Sequence, residues 1–405
     1  MKCVVLAAGK GTRLLPITSL RPKVMVPVGN KPLLEQVLLQ AKQAGFSEFL
    51  FIVSAQKEYV KSYFSDGKTW DVSITYIDQG TPLGTAHAIQ ACQSFVDGPF
   101  LVLSGDTLTT SKDIKKLSTY KSTTIGITSV DDTSMYGAII SKDNRLERID
   151  EKTVKPPTNQ INTGMYLFDP SIFDAILNTT PSQRHEYEIT DALNLLVKQG
   201  SPPYVSPITT FVDIGRPWDI LSANRFVLEQ MKKTVVQGNV EPYATIKGFV
   251  SIDEGTQVLN GSYIEGPVCI GRNCKIGPNC YIRPATSIGN DCHVGNGCEV
   301  KNSVILDKSN VPHQNYVGDS VIGQGCNLGS GTKVANLRLD KKMISVSHQD
   351  GKVNTGLRKL GVIMGDNVQT GINAVINTGS IIGEDSFIGP GACCSGTFAA
   401  KSRIY

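Results

Sequence analysis

Along the C-terminal part of the chain, apolar residues return every six positions: Ile252, Val258, Ile264, Ile270, Ile276, Ile282, Ile288, Val294, Val300 and Leu306 share one phase. A helix requires a period near 3.6 and a half-buried strand a period near 2. A period of six describes a coil of short parallel strands, each branched residue stacked over one in an earlier turn. The array resumes at Ile322, Leu328 and Val334, then at Met364, Ile376, Ile382 and Ile388. Between Leu306 and Ile322 the interval is two hexads plus four residues, so an extruded loop containing Val311 to Asp319 is expected there. A nonrepeating excursion follows Asn336 and ends at Leu360 and Gly361.

Ahead of the array the pattern changes. Cys3 to Leu6, Glu48 to Val53, Val72 to Tyr76, Phe100 to Leu103 and Thr124 to Thr128 read as strands, and Leu33 to Ala44 and Ala86 to Phe95 as helices. This alternation predicts a Rossmann-like α/β domain with a mostly parallel sheet over residues 1–232, and the coil, a parallel β-helix, over 233–405. Two domains also suit a chain of 405 residues, longer than one core usually supports.

The net charge of +4 is spread out, with no Lys/Arg block to bind nucleic acid, so no such partner is expected. The N-terminus enters a strand directly and nowhere do eighteen apolar residues run together, which predicts a cytoplasmic protein without a membrane partner. Five of the ten cysteines, Cys274, Cys280, Cys292, Cys298 and Cys326, stand four places after a hexad Ile or Val, where Thr256 and Thr332 stand in other turns. A thiol there is a small hydrophobe inside the coil, not a metal ligand. Cys393 and Cys394 lack the spacing of a zinc site.

The loop after the first strand carries the candidate chemistry. It runs Leu6, Ala7, Ala8, Gly9, Lys10, Gly11, Thr12, Arg13, and continues to Arg21, Pro22 and Lys23. Small residues let backbone N–H groups approach phosphate oxygens, and Arg13 and Lys23 supply charge for a triphosphate. A dinucleotide fingerprint would need Gly or Ala where Leu14 stands, and a P-loop would need Gly-Lys-Ser/Thr after four intervening residues.

The string Gly-x-Gly-Thr-Arg followed by Pro-Lys resembles the signature of sugar-1-phosphate nucleotidylyltransferases. The resemblance implies nucleotide binding by Leu6, Ala7, Ala8, Gly9, Gly11, Thr12, Arg13, Gln79, Gly84 and Thr85, sugar contacts from Gly137, Glu151 and Asn162, and Mg²⁺ held by Asp106 and Asp213. Arg13, Lys23, Asp106 and Asp213 would carry catalysis, since in-line transfer to a sugar phosphate consists mostly of positioning and charge neutralisation. Bacterial bifunctional relatives tend to have Asn where Asp213 stands, and thymidylyltransferase-like ones have Asp, so UTP and dTTP both remain open.

The hexads resemble the left-handed parallel β-helix of hexapeptide-repeat acyltransferases. Arg283, Lys301, His313, Tyr316, Asn327, Asn336 and Lys342 recur in the order seen in the acetyltransferase half of GlmU-type bifunctional enzymes. That resemblance implies N-acetylation of glucosamine 1-phosphate by acetyl-CoA, with His313 as general base and the others contacting sugar or acyl donor. Lys341 adjoins Lys342, and the two are not told apart. The excursion after Asn336 resembles the archaeal version and leaves galactosamine 1-phosphate open as a further acceptor. Together the resemblances imply synthesis of UDP-N-acetylglucosamine: acetylation, then uridylyl transfer with release of pyrophosphate. The alternative is a monofunctional glucose-1-phosphate thymidylyl- or uridylyltransferase whose coil is an oligomerisation scaffold. A homotrimer or dimer of trimers is expected, because one coil has no second wall with which to enclose acetyl-CoA.

Overall fold

The computed structural model describes residues 1–9, 11–54, 56–151, 157–349 and 351–405. The chain forms two compact units that do not meet at a single cut. The first comprises Met1–Lys10, Pro22–Met25 and Leu33–Asp213; the second comprises Gly11–Arg21, Val26–Pro32 and Ile214–Tyr405. Among the described residues no helix is long and apolar enough to cross a membrane.

The first unit is built on a nine-stranded sheet. Its order is Ser73–Asp78, Glu48–Val53, Cys3–Leu6, Phe100–Ser104, Gln160–Phe168, Thr124–Ser129, Tyr204–Pro207, Arg145–Glu151 and Gly137–Lys142. The first four are mutually parallel, and Gln160–Phe168 and Arg145–Glu151 run against the rest. The inner strands are continuous apolar runs because both faces are covered: Val4, Ile52, Phe100 and Val102 are fully buried on one face in a core with Ile89, Ile172 and Leu193 from the helices, and Cys3, Val5, Phe51 and Leu101 are fully buried on the other.

The second unit is a left-handed parallel β-helix with three walls. The first wall contains Val250–Ile252, Val268–Ile270, Thr286–Ile288, Val304–Ile305, Val321–Ile322 and Val362–Met364. The second contains Gln257–Val258, Lys275–Ile276, His293–Asn296, Asn310–His313, Asn327–Leu328 and Gln369–Thr370. The third contains Tyr263–Glu265, Tyr281–Ile282, Glu299–Lys301, Tyr316–Gly318, Lys333–Val334 and Val375–Ile376. The hexad residues stack inside as expected, with Ile252 paired to Ile270 and Ile270 to Ile288. Corners repeatedly use the left-handed backbone at Asn or Asp, as at Asn273, Asn279 and Asp291, residues whose short polar side chains tolerate it.

The small residues four places on do more than fill space. Thr256 donates to the Gly271 carbonyl (2.6 Å), Cys274 to Gly289 (3.0 Å), Cys292 to Leu306 (3.3 Å), Ser309 to Gly323 (2.7 Å) and Cys326 to Gly365 (3.1 Å). Each rung thus bonds to the next through a short side chain. Burial pushes the Cys280 thiol up to about 11 and that of Cys326 up to about 12, so both stay protonated.

The structure corrects the expected break near His313. Ile288 pairs with Ile305, not Leu306, and Ile305 with Ile322. Val311 and Val317 are fully buried inside the coil, on the Asn310–His313 and Tyr316–Gly318 strands. No loop is extruded: the corner between third and first walls drops one residue in each of two successive rungs, so the interior phase runs Val300, Ile305, Val311, Val317, Ile322. The excursion after Asn336 is real. It holds an antiparallel hairpin, Ser345–His348 with Gly351–Asn354, whose Ile344 and Val346 lie over Gly379 of the coil.

Candidate active sites

From Cys3–Leu6 the chain adds Glu48–Val53 and Ser73–Asp78 on one side and then returns to the other with Phe100–Ser104. In open α/β sheets such a reversal marks the place, beyond the carboxyl ends of the strands, where ligands bind, and here it lies between Leu6 and Ser104. Ala7 donates its N–H to the Ile52 carbonyl (2.8 Å) and Ser54 Oγ donates to the Ala8 carbonyl (2.9 Å), so the start of the loop is fixed to the neighbouring strand. Gly9 is exposed, and a cavity of about 250 Å³ beside it is lined by Ala7, Pro22, Val53, Ser54 and Val60 among others.

Lys23 is buried, and its Nζ lies 2.5 Å from Asp106 Oδ2. The lysine expected on phosphate and the aspartate expected on metal thus neutralise each other. Asp213 is brought to the same place by backbone register: Val212–Asp213 pairs with Thr107–Leu108, with Asp213 opposite Thr107. The Tyr136 hydroxyl donates to Asp213 Oδ2 at 3.2 Å. Two carboxylates with hard oxygen donors suit Mg²⁺, which takes one or two protein carboxylates and completes its shell from phosphate and water. Among the described residues no group of three or more metal-binding side chains exists, so the fit is to that kind of partial site.

Gln79 is buried and donates to the Gly84 carbonyl at 3.2 Å. Gly84 has φ +119°, and a Cβ there would strike the Tyr187 backbone. Thr85 Oγ1 accepts from the Ile189 N–H (3.0 Å), which ties this turn to the start of another helix. Gly137 lies opposite Glu151 in register, and a Cβ on it would come within 2.9 Å of Glu151 Oε2. Asn162 begins a register break in its strand; its Nδ2 donates to the Tyr166 hydroxyl (2.7 Å) and its Oδ1 accepts from the Gly164 N–H (3.1 Å). The break sets Gly164 against Ser104, two residues before Asp106, so the expected sugar side adjoins the expected metal side.

The sequence pattern missed two members of this region. Arg184 bridges Glu151 (3.2 Å) and Glu188 (2.6 Å), and burial raises the Glu188 carboxyl against the pull of Arg184. Arg184 lies in a polar stretch with no periodicity, whereas Tyr136, adjacent to Gly137, was within reach of the motif.

Gly11, Thr12 and Arg13 belong to the second unit. Gly11 takes φ +65° and opens a short 3₁₀ turn over Thr12–Leu14, with Thr18 Oγ1 donating to its carbonyl (2.8 Å); Arg13 is exposed.

On the coil, Arg283 and Lys301 stand one rung apart at the corner between the third and first walls. Arg283 Nη1 donates to Glu299 Oε1 (2.7 Å), and Lys301 Nζ lies 3.0 Å from Asp319 Oδ2. Asp319 is buried and also accepts from Asn302 (2.6 Å) and Asn336 (2.5 Å), while Asn336 reaches the Tyr316 hydroxyl at 3.2 Å. Burial and the nearby Glu299 push that hydroxyl above its ordinary value. The shortened corners explain the clustering: with a residue removed from each, Asn302 and Asp319 occupy left-handed positions directly over one another. Glu299 and Asp319 were not among the expected residues; their spacing of one rung from Arg283 and Lys301 was the available signal.

His313 is exposed at the end of its second-wall strand, three residues before Tyr316 and opposite Asn296. Asn327 is on the second wall, paired with Asn310, and has no bond to the corner cluster among the described residues. Lys342 is exposed on a turn where its N–H meets Asp340, whereas Lys341 lines a cavity of about 800 Å³. That cavity is bounded by the Asp219–Glu229 helix, by Lys301, Asn302 and Asp319, and by both arms of the excursion. Arg225, Lys301, Lys341, Arg358 and Lys359 line it with Asp219, Glu229 and Asp319, an excess of cations.

The first 230 residues match a known family: residues 2–230 fit the Nucleotidyl transferase family. Residues 264–378 fit the GMPPB C-terminal domain and 361–396 the Bacterial transferase hexapeptide (six repeats) family. A structure titled a putative glucose-1-phosphate thymidylyltransferase from Bacillus anthracis aligns with a TM-score of 0.53 and 28% identity over 58% of this chain and 98% of its own. The "Bifunctional protein GlmU" of Methanocaldococcus jannaschii is 37% identical over all of this chain and 97% of itself. The "Bifunctional sugar-1-phosphate nucleotidylyltransferase/acetyltransferase" of Sulfurisphaera tokodaii is 38% identical over 97% of this chain and 96% of itself. Similarity that runs through sheet, coil and excursion alike shows that this chain belongs to the GlmU-type family of bifunctional sugar-1-phosphate nucleotidylyltransferases and acetyltransferases.

Proposed function

We propose that the chain makes UDP-N-acetylglucosamine in two steps: acetyl transfer from acetyl-CoA to glucosamine 1-phosphate on the coil, then uridylyl transfer from UTP with release of pyrophosphate. The observation that carries this is the presence, in one chain, of two separate polar clusters: Lys23, Asp106 and Asp213 at the strand ends, and Arg283, Lys301, Tyr316 and Asn336 at the coil corner.

In the first step His313 Nε2 or Nδ1 takes a proton as the amine nitrogen attacks the thioester carbon, and the C–S bond breaks to release CoA thiolate. A neutral imidazole is an effective general base at neutral pH, and His313 is exposed to the incoming amine. Arg283 and Lys301 face the sugar phosphate, exchanging their Glu299 and Asp319 contacts for it. In the second step an oxygen of the sugar phosphate attacks the α-phosphorus of the triphosphate and pyrophosphate leaves. Asp106 and Asp213 supply oxygen ligands for Mg²⁺, which when bound offsets phosphate charge. Lys23, whose Nζ reaches Asp106 Oδ2, would hold substrate phosphate where Asp106 serves as an ion ligand. Gln79, Gly84 and Thr85 shape the base side, and Gly137, Glu151 and Asn162 the sugar side.

The functional boundary proposed near residue 232 separates these two chemistries, although Gly11–Arg21 packs with the coil. We place the protein in the cytoplasm as a homotrimer or dimer of trimers, with a neighbouring coil completing the acetyl site around His313. Incubation with glucosamine 1-phosphate, acetyl-CoA, UTP and Mg²⁺, omitting each in turn, tests the scheme. Product that forms without acetyl-CoA, or from glucose 1-phosphate and dTTP alone, would favour the monofunctional alternative. Parallel runs with galactosamine 1-phosphate and dTTP define the range.

A further inference from the structure

The Gly11–Arg21 segment has no strand or α-helix of its own. Its backbone bonds are single-turn contacts, Leu14 to Gly11, Leu15 to Thr12, Ile17 to Leu14 and Ser19 to Pro16. Isolated turns of this kind do not offset the entropy of fixing the chain. What holds the segment is the coil. Arg21 is 5% exposed and forms a two-pronged pair with Asp366, itself 2% exposed: Nη2 to Oδ2 at 2.8 Å and Nη1 to Oδ1 at 3.2 Å. The same guanidinium donates back to the Ile17 carbonyl (2.8 Å) and across to Gln324 Oε1 (3.3 Å). Ser19 Oγ donates to Glu384 Oε2 at 2.9 Å, a second handhold one rung on.

A buried ion pair seldom stabilises a fold more than well-packed apolar residues would. What a guanidinium and a carboxylate add is a fixed planar geometry with several defined bonds. Here that geometry is applied to a segment that begins with Gly11, Thr12 and Arg13 and leads directly into Pro22 and Lys23. We propose that Arg21 and Asp366 are a positioning pair for nucleotidyl transfer, through which the coil sets the conformation of the nucleotide loop. This rests on the nucleotidyl half of the function proposed above.

The test uses the full-length chain carrying Asp366→Asn, which keeps the shape of the side chain and removes its charge. The expected result is a loss on the order of 10²-fold in kcat/KM for nucleotidyl transfer, carried mainly by a raised KM for the triphosphate. Acetyl transfer keeps its wild-type rate, and amide exchange quickens in residues 11–21 but not in the coil interior. The double variant Arg21→Met with Asp366→Leu regains thermal stability without regaining nucleotidyl transfer. Recovery of that activity in the double variant, an unchanged nucleotidyl rate in Asp366→Asn, or an equal fall in both activities would overturn the proposal. If Asp366→Asn does not fold, Ser19→Ala loosens the same segment at its surface and should lower nucleotidyl transfer alone; no change there would also overturn it. Wild-type protein with no nucleotidyl transfer would refute the proposed function instead, and amide exchange at residues 11–21 in the variant would then decide the positioning role.

Discussion

The two polar clusters are assembled by opposite means. At the strand ends Lys23, Asp106 and Asp213 come from distant parts of the chain and meet because a sheet reverses its order and a short strand pairs Asp213 with Thr107. At the coil corner, Glu299, Lys301, Tyr316 and Asp319 come from adjacent rungs, stacked by the repeat and by the matching shortened corners. The first arrangement depends on topology, so each residue is irreplaceable in place. The second depends on phase, so a one-residue change in a corner moves a whole column.

The largest effect expected from this contrast is that of Lys23→Ala. Removing a buried charge at the strand ends should cut nucleotidyl transfer on the order of 10³-fold while acetyl transfer persists. Rates of both reactions on one preparation check it, and a matching loss in both would erase the distinction between the clusters. His313→Ala should lower acetyl transfer by roughly 10²- to 10⁴-fold and leave uridylyl transfer from ready-made N-acetylglucosamine 1-phosphate intact. Because His313 is exposed, the melting temperature should not move. An unchanged acetylation rate would return the coil to a scaffold.

Asp319→Asn probes phase against charge. Asp319 answers Lys301, Asn302 and Asn336 from a buried corner, and breaking a buried pair from one side costs about 3 kcal/mol. Urea denaturation should report that loss together with weaker acetyl transfer; a variant as stable as wild type would mean the corner is held by its backbone ladder alone. The smallest effect concerns pH. Burial, helped by Lys275 and His313, lowers His293 below its ordinary 6.5. The unfolded chain therefore binds this proton at higher pH than the folded one. The stabilising contribution is full above about pH 6.5 and is lost as pH falls through the folded value. His293→Gln should flatten that slope in denaturation curves between neutral and mildly acidic pH; an unaltered slope would place the titration elsewhere.

The repeat was legible from Ile252 to Val300 because every interior place held a branched apolar residue. It failed at Val304, Ile305 and Leu306, three apolar neighbours among which a count of six selects the wrong one once a corner has lost a residue. Later, Thr370 fills an interior place that apolar counting passes over. Near the strand ends the signature pointed to Lys23, Asp106 and Asp213, but the Lys23–Asp106 pairing and the reach of Tyr136 and Arg184 depend on folding that no local spacing encodes. The grip of Asp366 on Arg21 joins positions 345 residues apart, beyond any pattern in the chain.

Neighbour-only pairing in the coil also has a mechanical side. Arg403–Ile404 is held by Phe387–Ile388, and Thr397–Phe398 by Ile381–Ile382, so tension applied at Tyr405 meets one rung at a time. Each regular rung advances pairing by 18 residues and would lengthen the tether by roughly 60 Å when released. The rung from Ile322 to Met364, which carries the excursion, would lengthen it by roughly 140 Å, so a force trace should show even steps with one long step among them.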